Sequence, residues 1–231
     1  MPLDAPLEVL YEDNHLLALN KPAGLATMGL SPEEPTLVSA AKAYIKRKYA
    51  KPGNVYLGVV SRLDAAASGV VLLARTSKAA ARLTEAFRSR NVAKAYVALV
   101  EGEMQPPEGT CEDWLIKDED AQRVRVCRPG TPGAKEALLS YRLVKAVGGD
   151  SLLEIDLATG RKHQIRVQLA ARGHPIVGDA KYGSRRSFPR GIALHSLRLA
   201  APHPVGRVPT VEIAAPLPDY WPAWTRAAAT G

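Results

Sequence analysis

The stretch Ser61-Arg62-Leu63-Asp64-Ala65-Ala66-Ala67-Ser68-Gly69 joins two apolar runs, residues 56–60 and 70–74. Both runs are short and apolar, which predicts buried strands on either side of a loop. Arg62 and Asp64 are the charged residues of this loop, which otherwise consists of small and apolar residues. An aspartate directly after a strand usually caps a turn. Loops held by a rigid sheet are also favoured places for function, so Asp64 is a candidate catalytic carboxylate.

A second charged stretch, Gly160-Arg161-Lys162-His163-Gln164-Ile165-Arg166, lies far downstream. It opens a predicted helix that runs from about His163 to Arg172 and has Gly173 as its C-terminal cap. Positive side chains at the positive N-terminal end of a helix cost electrostatic energy. The stretch is therefore either a solvated face or a place where an anion is held, such as a phosphate or Asp64.

The remaining pattern alternates short strands with few helices. Thr36 caps one predicted helix, and Ser77 caps another that runs to about Arg90. Between Gly102 and Gly149 the segments alternate as antiparallel hairpins do. The run Arg123-Val124-Arg125-Val126 places valines on one face and arginines on the other. Further strands are predicted over residues 7–11, 15–20, 95–100, 152–157, 193–199 and 208–214. We expect an α+β fold with a large mixed, mainly antiparallel sheet flanked by helices and loops.

Composition restricts the class of protein. The chain has 231 residues, of which 46% are hydrophobic, enough for a substantial core. Lys and Arg total 31 against 23 Asp and Glu, a net charge of +8 that favours a polyanionic partner. The basic residues are scattered, which favours nucleic acid over a membrane surface. No apolar segment approaches the roughly 18 residues of a membrane span. The acidic start lacks the apolar core of a signal peptide, so we expect a cytoplasmic protein.

Familiar cofactor and metal motifs are missing from the sequence. The glycines never fall at the spacings of phosphate-binding loops, and no GxSxG elbow marks a serine hydrolase. The five histidines have no close partner at zinc-ligand spacing. Cys111 and Cys127 are expected to be free, partly buried thiols. We therefore expect neither a metal nor a nucleotide cofactor.

Several blocks of residues occur in a fixed order along the chain. They are Asn20-Lys21-Pro22-Ala23-Gly24-Leu25; Ser61-Arg62-Leu63-Asp64 with Ser68-Gly69; Lys94-Ala95-Tyr96; Thr159 to Val167, continuing to Gly173 to Asp179 and Tyr182-Gly183; and Leu194-His195 with His203-Pro204. In this order and at these separations the chain resembles the RluA-type pseudouridine synthases across nearly its full length. The resemblance implies the catalytic fold of that family, as a single domain over residues 1–231.

The chain departs from the family pattern at a few positions. Ser61 stands where a histidine is usual, and residues 65–67 are alanines in place of a more polar run. Lys162 stands where threonine is common, and Gln168 where histidine is common. Because the family pattern begins within the first dozen residues, we expect no auxiliary N-terminal RNA-binding domain.

The resemblance implies a role for each of three active-site residues. Asp64 is the carboxylate that either attacks the ribose or removes a proton from it, and both alternatives stay open. Tyr96 stacks on the uracil and can assist proton removal. Arg166 holds Asp64 ionised and oriented, because a guanidinium can bind a carboxylate with two parallel hydrogen bonds. The isomerisation neither adds nor removes atoms and requires no cofactor.

RNA contacts follow from the same resemblance and from charge. Arg62 is expected to fill the gap left when the target uridine flips out of its stack, a step that costs a few kcal/mol. Four further cations are candidate phosphate contacts, which position RNA without reading its sequence. They are Arg161, Lys162, Lys181 and Arg185. The expected partner is ribosomal or transfer RNA, and the protein is expected to be a monomer.

Two other functions compete with this hypothesis. One is a catalytically inactive RNA-binding module with the same fold, which the substitutions at Ser61 and residues 65–67 would suit. Against it, a drifting pseudoenzyme has little physical reason to keep a buried ion pair. The other is a carbohydrate glycosidase, which would need a second carboxylic acid at a matched distance.

Overall fold

The computed structural model describes residues 7–29, 34–119, 121, 123–206 and 209–229. These ranges contain eleven strands, four α-helices and one short 3-10 helix. In chain order they are β1 (Glu8–Glu12), β2 (Leu16–Lys21), α1 (Leu37–Lys48), β3 (Gly58–Val59), β4 (Ser68–Ala74), α2 (Ser77–Arg88), β5 (Ala93–Glu101), β6 (Glu108–Asp118), β7 (Arg123–Cys127), β8 (Lys135–Val147), β9 (Asp150–Leu157), α3 (Gln164–Ala171), the 3-10 helix (Ala180–Tyr182), β10 (Leu194–Pro202), β11 (Thr210–Ala214) and α4 (Ala223–Ala229).

The chain divides into two compact units. The first unit comprises Met1–Ala93 and Ser196–Pro216, and the second comprises Lys94–His195 and Leu217–Gly231. Each unit contains both strands and helices, so the expected α+β class is confirmed. The single catalytic domain expected over residues 1–231 stays a prediction. None of the helices in the described ranges is both long and apolar enough to cross a membrane.

The sheet of the first unit is buried on both faces along its central strands β2 and β4. Its strand order is β1-β2-β4-β10, with β3 on β4 and β11 on β10. Every residue of β4 is buried. Side chains alternate between the faces of a strand, so Val70 and Leu72 pack with α2 residues while Val71 and Leu73 pack with α1 residues. This two-sided burial explains why the sequence shows a continuous apolar run rather than an alternating one.

The second unit contains five strands that pair in antiparallel fashion. Their order is β5-β9-β8-β6-β7, and each of these pairings is antiparallel. The alternation predicted in β7 is confirmed, because Val124 is buried whereas Arg123 and Arg125 are exposed. Val124 packs in a small core with Val167 of α3, so this face of the sheet positions the helix that carries Arg166.

Most predicted elements are confirmed, with boundary shifts of one to a few residues. The strand expected over residues 56–60 is wrong in extent, because pairing is confined to Gly58 and Val59 while Tyr56 is 51% exposed. The second helix is capped by Thr76 rather than Ser77, since the Thr76 side chain accepts from the Ala79 N–H. The start of the strand expected over residues 208–214 lies outside the described residues. Helix α4 was not predicted.

Candidate active site

Two hydroxyl groups hold the loop that carries Asp64. Ser61 Oγ accepts from the Leu72 N–H at 2.9 Å and donates to the Leu72 carbonyl at 3.1 Å. Thr27 Oγ1 accepts from the Leu63 N–H at 3.1 Å and donates to the Leu63 carbonyl at 2.9 Å. Each hydroxyl thus satisfies both backbone groups of one residue, as a neighbouring strand would. The backbone on both sides of Arg62 is therefore fixed.

Asp64 begins a tight turn after this fixed segment. Its carbonyl accepts from the Ala67 N–H at 3.1 Å, and its side chain is half-buried. Leu63 packs against the core that includes α1, whereas Arg62 is exposed. The turn therefore anchors Leu63 inward and leaves Arg62 accessible to a ligand.

A buried lysine lies behind the same loop. Lys21, at the end of β2, is 0% exposed. Its Nζ donates to the carbonyls of Pro22 at 2.9 Å, Leu25 at 2.8 Å and Ala65 at 3.2 Å. Lys21 therefore ties the loop that follows β2 to the loop that contains Asp64.

Burial and Asp64 act on Lys21 in opposite directions. Burial lowers the pKa of Lys21 to about 7, and the negative charge of Asp64 opposes this shift. The opposition means that the ammonium and the carboxylate stabilise each other electrostatically. Lys21 was not predicted to be a site residue, although it stands in the Asn20-Lys21-Pro22 block. The signal in the sequence was a lysine at the end of an apolar strand, LLALNK.

In the second unit, Arg166 is buried and paired. Its Nε donates to Asp179 Oδ2 at 2.7 Å, and its Nη2 donates to Asp179 Oδ1 at 2.9 Å. The two side chains are 8% and 1% exposed. The Tyr182 ring also faces the guanidinium, with 5.0 Å between Arg166 Cζ and the ring centroid. Arg166 was predicted to be a site residue, whereas no role was predicted for Asp179 or Tyr182.

The N-cap residue of α3, His163, makes no side-chain capping hydrogen bond. His163 adopts a left-handed conformation, with φ of 55°. Gln164 instead reaches back, and its Oε1 accepts from the Arg161 N–H at 3.0 Å and from Thr159 Oγ1 at 2.7 Å. Thr159 Oγ1 in turn accepts from the Leu138 N–H at 2.8 Å. The helix start is thereby attached to β8, and Ile165 and Leu169 are buried.

Of the other predicted site residues in the second unit, one is buried and four are exposed. Tyr96 lies on β5 opposite Ile155 of β9 and is 9% exposed. The four candidate phosphate contacts are exposed: Arg161, Lys162, Lys181 and Arg185. Arg161 is partly immobilised, because its Nε donates to the Glu136 carbonyl at 2.9 Å.

Two of the departures from the family pattern point inward in the structure. Ser61 bonds to Leu72, as described above. Gln168 is 0% exposed, and its Nε2 donates to Asp113 Oδ2 at 2.7 Å and to the Cys111 and Ala137 carbonyls at 3.1 Å. Both side chains therefore satisfy backbone groups of neighbouring strands.

Metal sites and reactive thiols are the remaining kinds of site to consider. Across the described part of the chain, no three His, Cys, Asp or Glu side chains gather as metal ligands would. Cys111 and Cys127 are free, as predicted. Burial raises the pKa of the Cys111 thiol to about 11, which suits a core side chain rather than a nucleophile.

The chain matches a known protein family and individual members of it. The family described as RNA pseudouridylate synthase matches residues 15–171. The ribosomal large subunit pseudouridine synthase D of Xylella fastidiosa is 38% identical over 95% of this chain and 68% of its own length. The dual-specificity RNA pseudouridine synthase RluA of Escherichia coli is 36% identical over 88% of this chain and 90% of its own length.

A solved structure extends the match to the fold. The human protein named RNA pseudouridylate synthase domain containing 1 has a TM-score of 0.74 and 27% identity, and the match covers 96% of this chain and 87% of that one. The α+β fold, the order of the sequence blocks and these relatives agree with one another. The chain therefore belongs to the RNA pseudouridylate synthase family, and it is an RNA pseudouridine synthase of the RluA type, an isomerase.

Proposed function

We propose that this enzyme isomerises uridine in ribosomal or transfer RNA, with Asp64 as the reacting carboxylate. The observation that carries the proposal is the loop itself. Its aspartate stands in the Ser61-Arg62-Leu63-Asp64 block of a family member, on a backbone that Thr27 and Lys21 hold in place. A fixed carboxylate reduces the entropy cost of reaching the reactive geometry.

The reaction exchanges one bond to the ribose for another. The bond from the ribose C1′ to uracil N1 breaks, the base turns, and a bond from C1′ to C5 forms. C5 then loses its proton while N1 gains one, so atoms and electrons balance without a cofactor. Asp64 either attacks the sugar or removes a proton from it, and both roles require the ionised carboxylate.

Tyr96 and Arg166 complete the proposed site. Tyr96 stacks on the free uracil and keeps it in the pocket, a role that a rigid strand position suits. Arg166 holds Asp64 ionised and oriented through its guanidinium. This pairing is supported by the family resemblance and by the buried, fixed state of Arg166.

The proposed RNA contacts act before the chemistry. The reacting ribose carbon is inaccessible in a stacked strand, so the uridine must flip out, and we propose that Arg62 fills the gap. Arg161, Lys162, Lys181 and Arg185 contact phosphates, and their exposure suits that task. Relatives named for the ribosomal large subunit support a ribosomal RNA substrate, which also favours a cytoplasmic location. The monomeric state stays a prediction.

The test is turnover by the Asp64→Asn variant. RNA labelled with tritium at uracil C5 releases the label only when C5 loses its proton. We expect Asp64→Asn to abolish release while RNA binding changes little, because phosphate contacts supply most of the affinity. Asp219→Asn, at a fully exposed carboxylate, is the matched control and should keep wild-type rates.

The same assay separates the competing functions. Residual Asp64→Asn activity within about tenfold of wild type would remove the carboxylate from its role. Wild-type protein that binds RNA but releases no tritium would be the inactive module, which nothing in the comparisons favours. Separate ribosomal and transfer RNA substrates identify the target.

A further inference from the structure

The segment Asp179–Tyr182 holds the guanidinium of Arg166 from two directions. Asp179 binds the edge formed by Nε and Nη2, with distances of 2.7 and 2.9 Å. The Tyr182 ring covers one face at 5.0 Å. A guanidinium is planar, so two parallel hydrogen bonds fix its direction within the plane and a ring contact fixes its face.

The Asp179 carboxylate is itself rigidly placed. Its backbone N–H donates to the Ile176 carbonyl at 2.9 Å, and its own carbonyl accepts from the Tyr182 and Ser184 N–H groups at 3.0 and 3.1 Å. The residue is 1% exposed, and a buried carboxylate persists only where strong partners compensate its lost hydration. Its position is therefore fixed relative to the Arg166 helix.

The Tyr182 ring is anchored at its hydroxyl end. Tyr182 Oη accepts from the Val124 N–H at 3.0 Å and lies 2.8 Å from His163 Nδ1. His163 is the N-cap residue directly before α3, so this contact links the ring to the start of the helix that carries Arg166. The ring cannot turn away from Arg166 without breaking both contacts.

We propose that Asp179 and Tyr182 are positioning residues for the isomerisation, which act by fixing the direction of the Arg166 guanidinium. The inference rests on the proposed role of Arg166. Asp179 binds the Nε–Nη2 edge and the Tyr182 ring covers one face, so the guanidinium is held in one orientation. Without this support the arginine side chain samples several rotamers, and a displacement of about 1 Å can cost about 100-fold in rate.

The test measures kcat and KM separately for Asp179→Asn by tritium release. We expect kcat to fall by about 100-fold while KM for RNA stays within about threefold, because Asp179 positions a reacting group and binds no phosphate. Asp113→Asn is the matched control, since Asp113 pairs with Arg172 near the end of the same helix at 2.8 Å. The control should keep kcat within about twofold, because the Asp113 carboxylate binds Arg172 and Gln168 rather than Arg166.

Two further variants keep the outcome decisive. If Asp179→Asn does not fold, Tyr182→Leu removes the ring and leaves the ion pair intact, and it should lower kcat without raising KM. Tyr182→Phe keeps the ring and should be less impaired than Tyr182→Leu. Wild-type kcat in a folded Asp179→Asn, or in Tyr182→Leu where Asp179→Asn does not fold, would overturn the proposal.

The role of Arg166 is tested in the same series. Arg166→Lys keeps the charge but cannot bind two partners in a fork, so it should be inactive. Wild-type rates in Arg166→Lys would refute the proposed role of Arg166, and the positioning role would fall with it. Inactive Arg166→Lys beside active Asp179→Asn and Tyr182→Leu would refute only the positioning role.

Discussion

A lysine ammonium that leaves water loses hydration worth several kcal/mol, so a residue such as Lys21 needs specific compensation. Lys21 finds it in three carbonyl oxygens and in the negative charge of Asp64. One of these carbonyls, that of Ala65, has a second donor in the Gly24 N–H at 2.7 Å.

We expect Lys21→Met to lower the free energy of unfolding by about 1–3 kcal/mol, because partly buried carbonyls lose their donor. The lowered pKa of Lys21 adds a pH dependence. Between about pH 7 and pH 10, Lys21 carries a proton in the unfolded chain but not in the folded one. The free energy of unfolding of the wild type therefore rises with pH, and its difference from that of Lys21→Met widens. Urea denaturation at several pH values measures both effects.

Exposed Lys42 on α1 provides the control for this prediction. Lys42→Met should change stability by no more than about 0.5 kcal/mol at any of these pH values. Equal, small effects of both substitutions would show that Lys21 does not hold the two loops together.

At the level of secondary-structure elements, one carboxylate connects three of them. Glu12, the last residue of β1, accepts from Tyr44 at 2.8 Å, Lys48 at 2.7 Å and Tyr49 at 2.6 Å, at the end of α1. It also accepts from Arg75, directly after β4, at 3.1 Å. Burial alone would raise the pKa of Glu12, but hydrogen bonds from Lys48, Tyr49 and Tyr44 lower it to about 2.

Glu12→Gln should therefore destabilise the protein at neutral pH by about 1–3 kcal/mol. As pH falls from about 4.5 toward 2, the unfolded chain takes up a proton that folded Glu12 does not. Wild-type stability is lost in that window, so the difference between wild type and Glu12→Gln should shrink. Denaturant unfolding from pH 7 down to the limit of the native state measures it. The exposed Glu85→Gln is the control, and a pH-independent difference would contradict the prediction.

The strands and helices also show how much of the fold could be predicted from the sequence. Residues 70–74 and the helix capped by Thr36 were identified because apolar runs and capping residues are local signals. The predicted extent of β3 was too long, because the ends of this strand depend on its pairing with β4. Helix α4 was missed, although it begins directly after Pro222, a common place for a helix to start.

Some residues of the candidate site could likewise be predicted from the sequence, and others could not. Asp64 and Arg166 stand in recognisable blocks, so the sequence alone identifies them as candidates. Asp179 acquires its partner only through folding, because nothing in its local pattern specifies an arginine on α3. The hydroxyl of Ser61 likewise shows its structural task only when Leu72 lies beside it.

At the scale of the whole molecule, net charge governs the encounter with RNA. The excess of 31 cations over 23 anions attracts phosphate and draws counterions from RNA into solution on binding. This attraction is independent of RNA sequence, because it acts on the phosphates and not on the bases. The four proposed phosphate contacts determine how strongly salt weakens the complex.

Binding to structured RNA should weaken steeply with salt. Four phosphate contacts correspond to a slope of about −3 in log affinity against log salt, so a fourfold rise in salt should weaken binding about 60-fold. Fluorescence anisotropy between about 50 and 200 mM salt measures the slope. Lys162→Gln and Lys181→Gln should each reduce its magnitude by about one, because each removes one phosphate contact. The exposed Lys78 of α2 is outside the proposed set, so Lys78→Gln should leave the slope unchanged. A slope near zero, or equal effects of all three substitutions, would show that these lysines are solvated surface residues rather than phosphate contacts.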